Sequence, residues 1–382
     1  MAKIAITTIA YNRVNSLERL LRSLLDANYY GVRTDLIISI DKSNTTSVEE
    51  FADAFEWPFG EKIVRKHSQN LGLRKHILSQ GKSLEIYDAI VVLEDDVVVS
   101  PAFFGYTLQA IKKYEDNPDI AGISLYSFPL NPYTNSPFSP FKNGYDAFMM
   151  NTAQSWGQIW LKKQWNEFYN WYLEHTDFTP SNDVPQNLFA WEKSWLKYHT
   201  RYCIENNKYF VYPYHSFSTN CGEAGEHNNT GYNNYQTELQ YSINSQLNLP
   251  STPDDAVLYD GFFENKSLYD ALNLSEEECY LDLNAFKNTF SSKRYLLSPK
   301  PYPYKVIKSY GLKLRPIECN ILQNVAGNDI FLYDLTDKAE APKRRFPTYM
   351  LLYNYRIFSA LSFIRQYKLK NILIDFINRI KN

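Results

Sequence analysis

Cysteine is scarce and scattered in this chain. Of 382 residues only Cys203, Cys221, Cys279 and Cys319 are cysteine, with no CxxC pair and no zinc-like spacing. That excludes a disulfide framework or a zinc finger as the organising feature, and a reducing compartment is expected. Glycine is sparse at 14 residues, and neither GxGxxG nor GxxxxGK[ST] occurs. Dinucleotide and ATP readings lose their usual phosphate-cradling loop. Charge is nearly balanced at -2, which argues against a nucleic-acid binder. No apolar run approaches the ~20 residues that span a bilayer. The opening "MAKIAITTIAYNR" lacks the layout of a secretory leader, so a cytoplasmic protein is expected.

Aromatics are abundant, at 16% with 31 Tyr and 7 Trp. Ring faces can cover the apolar face of a sugar, but they also fill ordinary cores. Charge is unevenly placed. From Lys343 onward nine basic residues stand against one acid. This tail, with its Leu, Ile, Phe and Tyr, suits either an anionic membrane surface or packing on protein, including a second subunit.

The first third alternates strand and helix. "KIAITTIA", "TDLIISID", "EKIVRKH", "DAIVVLED" and "IAGISLY" read as strands. "NSLERLLRSLLDA", "SVEEFADAF" capped by Ser47, "LRKHILSQGKSL" and residues 101–114 read as helices. This pattern predicts an α/β fold with a mostly parallel sheet covered on both faces. Further on, "NLFAWEKSWLKYHTRYCIENN" reads as helical and "KYFVYPY" as a strand. The expected organisation is residues 1–249 as one domain, with halves 1–125 and 126–249. An accessory region (250–340) and a basic amphipathic tail (341–382) follow.

Ligands of such sheets bind beyond the carboxyl ends of the strands. Four groups of residues meet that edge: Thr8, Tyr11 and Arg13; Asp41; the segment "NLGLRKH" with Arg74; and the acids Glu94, Asp95 and Asp96 of "VVLEDDVVVSPAFF". Adjacent carboxylates repel until a cation neutralises them, and their oxygens suit Mg²⁺ or Mn²⁺ shared with substrate phosphates. A solvated acidic turn is the plainer reading. Tyr11 could stack on a base, Asp41 accept from a pyrimidine imide N–H, and Arg74 meet base or diphosphate. Singly each suits a loop or surface; together with the acids they make a nucleotide-diphosphate and metal site.

Residues 3–125 resemble the nucleotide-binding half of a GT-A-fold glycosyltransferase. "LEDDVVVSPAFF" is similar to the aspartate-motif segment of the N-acetylglucosaminyltransferase I family and its bacterial relatives. "TTIAYNR…LLRSLL" resembles the inverting family-2 enzymes. The resemblance implies Tyr11 and Asp41 at the base, Asp95 near the ribose and Asp96 on a metal bridging the diphosphate. Glu94 would shape the turn. "SWGQIW" and "AWEKSW" extend the resemblance toward residue 231. There Glu192, where many relatives carry Asp, matches the catalytic base, and Trp156, Gly157, Trp191 and His227 match a donor or acceptor pocket. Trp191 and Trp195 would shield Glu192 from water, with Asp183, Glu223 and Glu226 in reserve. Trp160 and Trp165 fit core packing equally well.

The implied activity is metal-dependent, inverting transfer of a sugar, from a UDP-sugar by resemblance, to a saccharide or lipid-linked saccharide. Surface-polysaccharide assembly on the inner face of the cell membrane is the implied setting. Two alternatives stay open: a non-catalytic saccharide-binding protein on the same fold, and a sugar nucleotidyltransferase, whose glycine-rich basic loop "TTIAYNR" lacks.

Overall fold

The structure, a computed structural model, describes residues 2–178, 184–222, 234–243, 246–343, 352–355 and 369. His227, Asp183, Glu223, Glu226 and nearly all of the basic tail lie outside the described residues. The chain divides into two compact units, Met1–Tyr133 with Phe138–Asp270, and Thr134–Pro137 with Ala271–Asn382.

In the first unit the expected alternation forms. β1 (Ile4–Ala10), β2 (Asp35–Ile40), β3 (Lys62–Lys66) and β4 (Ala89–Glu94) pair in parallel. Between them run α1 (Val14–Leu25), α2 (Ser47–Ala54) and α3 (Leu73–Ser79). The short β5 (Val97–Val99) and the helix α4 (Phe103–Tyr114) follow, then β6 (Ile120–Ser124), β7 (Ala147–Met150) and β8 (Gln158–Leu161). α5 (Lys162–Glu174), α6 (Leu196–Glu205), β9 (Tyr209–Pro213), β10 (Ser218–Asn220) and β11 (Leu258–Tyr259) complete the unit. Nine strands make one sheet in the order β11-β7-β9-β6-β8-β4-β1-β2-β3. Five of its neighbour pairs are parallel; β8 is antiparallel to β4 and β6, and β7 to β9. β11 lies past residue 249, so the segment after "NLPSTPDD" returns to the sheet edge.

The two-residue period of the strands explains the two cores. Ile4, Ile6 and Ala10 of β1 join Leu36, Ile38, Val91 and Leu93 on one face, covered by Leu17, Leu20, Leu21 and Leu24 of α1. Ala5, Ile9, Ile37, Ile90 and Val92 face the other way, onto Ile77 of α3, Trp165 and Phe168 of α5 and Tyr198 of α6. Each buried Leu contributes about 1.5–3 kcal/mol. Trp160 stacks on Trp165 with ring centroids 3.9 Å apart, so both belong to the core.

Two local expectations change. Ser47 is the first helical residue of α2, not its cap; Thr46 holds that position and its hydroxyl bonds Glu50 at 2.6 Å instead of capping. "AWEKSW" is not helical. A 3-10 turn covers Gln186–Ala190, and α6 begins only at Leu196, so Glu192 stands on the turn before the helix. The second unit holds a four-stranded sheet, β12 (Cys279–Leu281), β13 (Tyr295–Ser298), β15 (Ile330–Lys338) and β14 (Tyr304–Tyr310), in that spatial order.

Candidate active site

Parallel pairing brings the ends of β1, β2 and β4 to one edge. Ile9 lies opposite Glu94, and Ala10 opposite Ile40. β4 stops at Glu94 and turns through Asp95 and Asp96 into β5, which pairs with β10. Backbone fixes the turn on both sides, Asp95 N donating to Ile9 O at 3.0 Å and Cys221 N to Asp96 O at 2.9 Å. The three acidic side chains are therefore placed by strand register.

They are not equivalent. Asp95 is only 4% exposed and pairs with Arg13, whose Nε donates to Oδ2 at 3.3 Å and whose Nη2 donates to Oδ1. Arg13 Nη2 also stands 3.8 Å from Asp96 Oδ2. Glu94 and Asp96 are half-buried and line a cavity. Burial, then the charges of Asp96 and Asp95, push the Glu94 carboxyl well above the usual carboxylate range. Arg13 faces all three acids, and carboxylates set this close suit a hard cation. Among the described residues no group of three or more His, Cys, Asp or Glu forms a ready cage. The fit is to the open type of site, in which one or two carboxylates share Mg²⁺ or Mn²⁺ with substrate phosphates. Asp96 and Glu94 are the residues that would hold it.

The cavity measures about 870 Å³ and brings Glu94 and Asp96 together with Trp156, Trp191 and Glu192. Gln154, Lys193, Asn220 and Tyr235 also line it. Glu192 and Trp191 are exposed, Trp191 by 37%, while Trp195 is buried. The expected shielding of Glu192 by the two rings is thus not realised, because the turn points only Trp195 into the core. Trp156 packs edge-on against Tyr126 at 4.9 Å and lies tilted on Tyr235 at 5.3 Å.

Several expected ligand contacts find other partners. Thr8 is fully buried within β1, short of the edge. Tyr11 is half-buried just past β1. Asp41 Oδ1 accepts from Leu71 N at 2.8 Å and Lys42 N at 2.9 Å, and Oδ2 from Gly72 N at 3.0 Å. Those three bonds leave one lone pair for any base, so Asp41's work in this structure is to tie the loop after β3 to the end of β2. Arg74 donates from Nε to Ser194 O at 3.1 Å and from Nη2 to Glu192 O, and lies over the Tyr198 ring at 5.0 Å. It pins the turn that carries Glu192. Gly157 has φ +107° and is outside the cavity lining; a Cβ there would meet Ser218 Oγ at 2.8 Å and Leu125 Cβ at 3.2 Å.

Sequence reasoning missed Gln154, Lys193, Asn220 and Tyr235, whose types and spacing carry no pattern. The Arg13–Asp95 pair did have a signal: a cation just past one strand, and acids ending a second strand of the same sheet.

Residues 5–175 match the family described as Glycosyl transferase family 2. The match ends before Glu192. No curated protein matches the chain. Among solved structures, S. aureus TarS 1–349 in complex with UDP-GlcNAc is 14% identical, with a TM-score of 0.40 over 59% of this chain and 60% of that one. A mannosyltransferase from Pyrobaculum calidifontis, in complex with GDP-Man and Mn²⁺, is 12% identical, with a TM-score of 0.34 over 55% and 56% of the two chains. GalNAc-T7 with UDP, GalNAc and Mn²⁺ is 10% identical, with a TM-score of 0.40 over 56% and 43%. The chain thus spans less than two thirds of each. At such identities and TM-scores these three carry no weight, and the family rests on the match over 5–175 with the sheet and acidic turn described above. Residues 5–175 thus match glycosyltransferase family 2, and they fold as an α/β unit around a mostly parallel sheet.

Proposed function

We propose that the protein transfers a sugar from a nucleotide-diphosphate donor, a UDP-sugar first, to a saccharide hydroxyl with inversion. One observation supports this most: Glu94 and Asp96 line the same cavity as Glu192. Asp96, with Glu94 beside it, would hold a divalent ion at the donor's diphosphate end. Glu192 takes the proton of the acceptor hydroxyl as its oxygen bonds to the anomeric carbon. The bond from that carbon to the diphosphate oxygen breaks, and its electron pair leaves with the nucleotide. A divalent ion, Mn²⁺ or Mg²⁺, would supply charge neutralisation for the leaving diphosphate. Trp191 offers an exposed ring face to the acceptor. No nucleophilic side chain is required, because a single displacement inverts the centre.

Among the described residues no helix is long and apolar enough to cross a membrane. The tail's composition supports attachment to an anionic surface and, with it, a role in surface-polysaccharide assembly. Liposome binding by the chain with and without residues 343–382 tests that part, and unchanged binding rejects it.

The transfer reading is tested by thermal shift with UDP- and GDP-sugars, with and without Mn²⁺, followed by transfer assays. A donor sugar should raise Tm, most strongly with Mn²⁺. Asp96→Asn should remove that metal-dependent rise. Glu192→Gln should keep it and lose transfer by about 10²–10⁴-fold. Donor binding that survives Asp96→Asn unchanged, or transfer that survives Glu192→Gln, rejects the assigned roles.

A further inference from the structure

Tyr30 departs from the usual chemistry of its turn. Val32 N donates to Tyr29 O at 2.9 Å, and both residues between them have positive φ, 53° at Tyr30 and 74° at Gly31. Turns of that form take Asn, Asp or Gly first, because Gly has no Cβ to crowd the backbone and the short polar side chains of Asn and Asp hydrogen-bond locally. Holding a tyrosine there costs roughly 1–2 kcal/mol. Burial of the ring would offset the cost, yet Tyr30 is 51% exposed. Its neighbour Tyr29 is buried against Trp57, Phe59 and Phe104. Strain kept for no more than a contact at the ring tip points to a use of the exposed part of the ring.

The ring is also held in place. A Cβ on Gly105 of α4 would stand 2.8 Å from Tyr30 Oη and 3.1 Å from its Cε2. The tip of the ring thus rests on helix backbone that glycine leaves bare, while half of the residue stays open to solvent. It borders a cavity of about 730 Å³ that shares no lining residue with the candidate active site. Leu108, Ile243 and Leu247 supply apolar wall; Gln109, Gln246 and Asn248 supply amides, with Lys112 and Lys113 beside them. Among the described residues no carboxylate lines this cavity. Gln109 Oε1 accepts from Leu247 N at 2.7 Å, which fixes the amide and leaves its two N–H donors.

We propose that this cavity is a saccharide-binding site for a pyranoside chain, with Tyr30 as its stacking platform. A ring face covers the apolar C–H face of a pyranose. Amides donate and accept, as sugar hydroxyls do. The lysines add a preference for anionic sugars. That the site grips the acceptor chain away from its reacting end rests on the proposed transferase function; the binding itself does not.

The test titrates the full chain with chitohexaose and with a hyaluronan octasaccharide, neutral and anionic probes, by calorimetry and saturation-transfer NMR. At least one should bind, the anionic one more tightly at low salt. Tyr30→Asn should weaken binding roughly tenfold, the loss of one stacked ring. The same change should raise the urea midpoint, because Asn suits the turn better than Tyr. Gly105→Ala, which displaces the ring tip, should weaken binding with folding retained. Asp96→Asn should leave this binding intact, so failure of the transferase reading and failure of this site are distinguishable. No binding of either probe, full affinity in Tyr30→Asn, or loss of affinity in Asp96→Asn overturns the proposal.

Discussion

Replacing Arg74 with lysine keeps a positive charge and removes the fork that holds the Glu192 turn. The guanidinium reaches two carbonyl oxygens, of Ser194 and Glu192, while lying over Tyr198. A lysine is a point charge on a flexible stem; it meets one carbonyl at most and stacks poorly. A hydrogen bond from a charged donor is worth about 1.5–3 kcal/mol, and water reaching this half-buried site recovers part, leaving a loss of about 1–2 kcal/mol. Among the described residues few other bonds hold the turn. Its own backbone bonds run from Glu192 N to Ala190 O and from Ser194 N to Trp191 O, each 3.1 Å, and α6 starts only after it.

If Glu192 is the base, a loosened turn lowers kcat by roughly 5- to 30-fold, the same 1–2 kcal/mol read as a barrier. Donor affinity should not change, because Glu94 and Asp96 are untouched. The assay is a pair of measurements, initial rates at saturating donor and calorimetric Kd for the donor in Mn²⁺. Urea unfolding should show a loss below about 2 kcal/mol, so that misfolding does not explain the rate. The opposite split refutes the reasoning. Arg74 acting directly on base or diphosphate would weaken the donor Kd at least tenfold and leave kcat at saturation near the parent value.

Gly157→Ala forces a side chain onto φ +107° and against Ser218 and Leu125; a loss of roughly 2–4 kcal/mol in urea unfolding is expected, and under 1 kcal/mol would contradict the packing. Burial pushes His76 down to about 4 and His199 down to about 3, so both stay neutral when folded while the unfolded chain takes up protons near 6.5. The stability they confer is complete above pH 6.5 and falls as pH drops toward 4, by about 2 kcal/mol for His76 alone at pH 5; a flat urea midpoint between pH 7 and 5 would contradict this. Arg13→Met removes the guanidinium from a nearly buried Asp95 and should cost about 3 kcal/mol. Mn²⁺ should restore part of that loss, and a variant as stable as the parent in EDTA rules out the charge balance described here.

The parallel strands were legible because their apolar runs are short, rich in Val and Ile, and separated by helices whose leucines recur at helical spacing. The acidic turn was legible because its position after β4 follows from the same pattern. The partners of Asp41 and Arg74 were not, because both bond to backbone groups, and backbone N–H and C=O carry no identity in the sequence. Glu192 was placed on a helix for a related reason. "WEKSWLKYHTRY" has helical composition throughout, and only the tertiary hold of Arg74 on two carbonyls shows where the turn stops and α6 begins. β11 escaped notice because a two-residue strand leaves no period to read.

The acids at 94–96 show how one short motif is divided by its surroundings. Strand register sends Asp95 toward Arg13, where a bidentate pair neutralises it in a nearly buried position. The same turn leaves Glu94 and Asp96 facing the cavity, with Arg13 only 3.8 Å from Asp96 and so shared between the two aspartates. The two carboxylates at the cavity therefore differ from Asp95 in what surrounds them. A divalent cation and a diphosphate largely cancel each other's charge, so carboxylates at the cavity would favour the pair over the diphosphate alone. This coupling is why metal and donor should be titrated jointly, and why the two carboxylates that meet the cavity matter more than the number of acids in the motif.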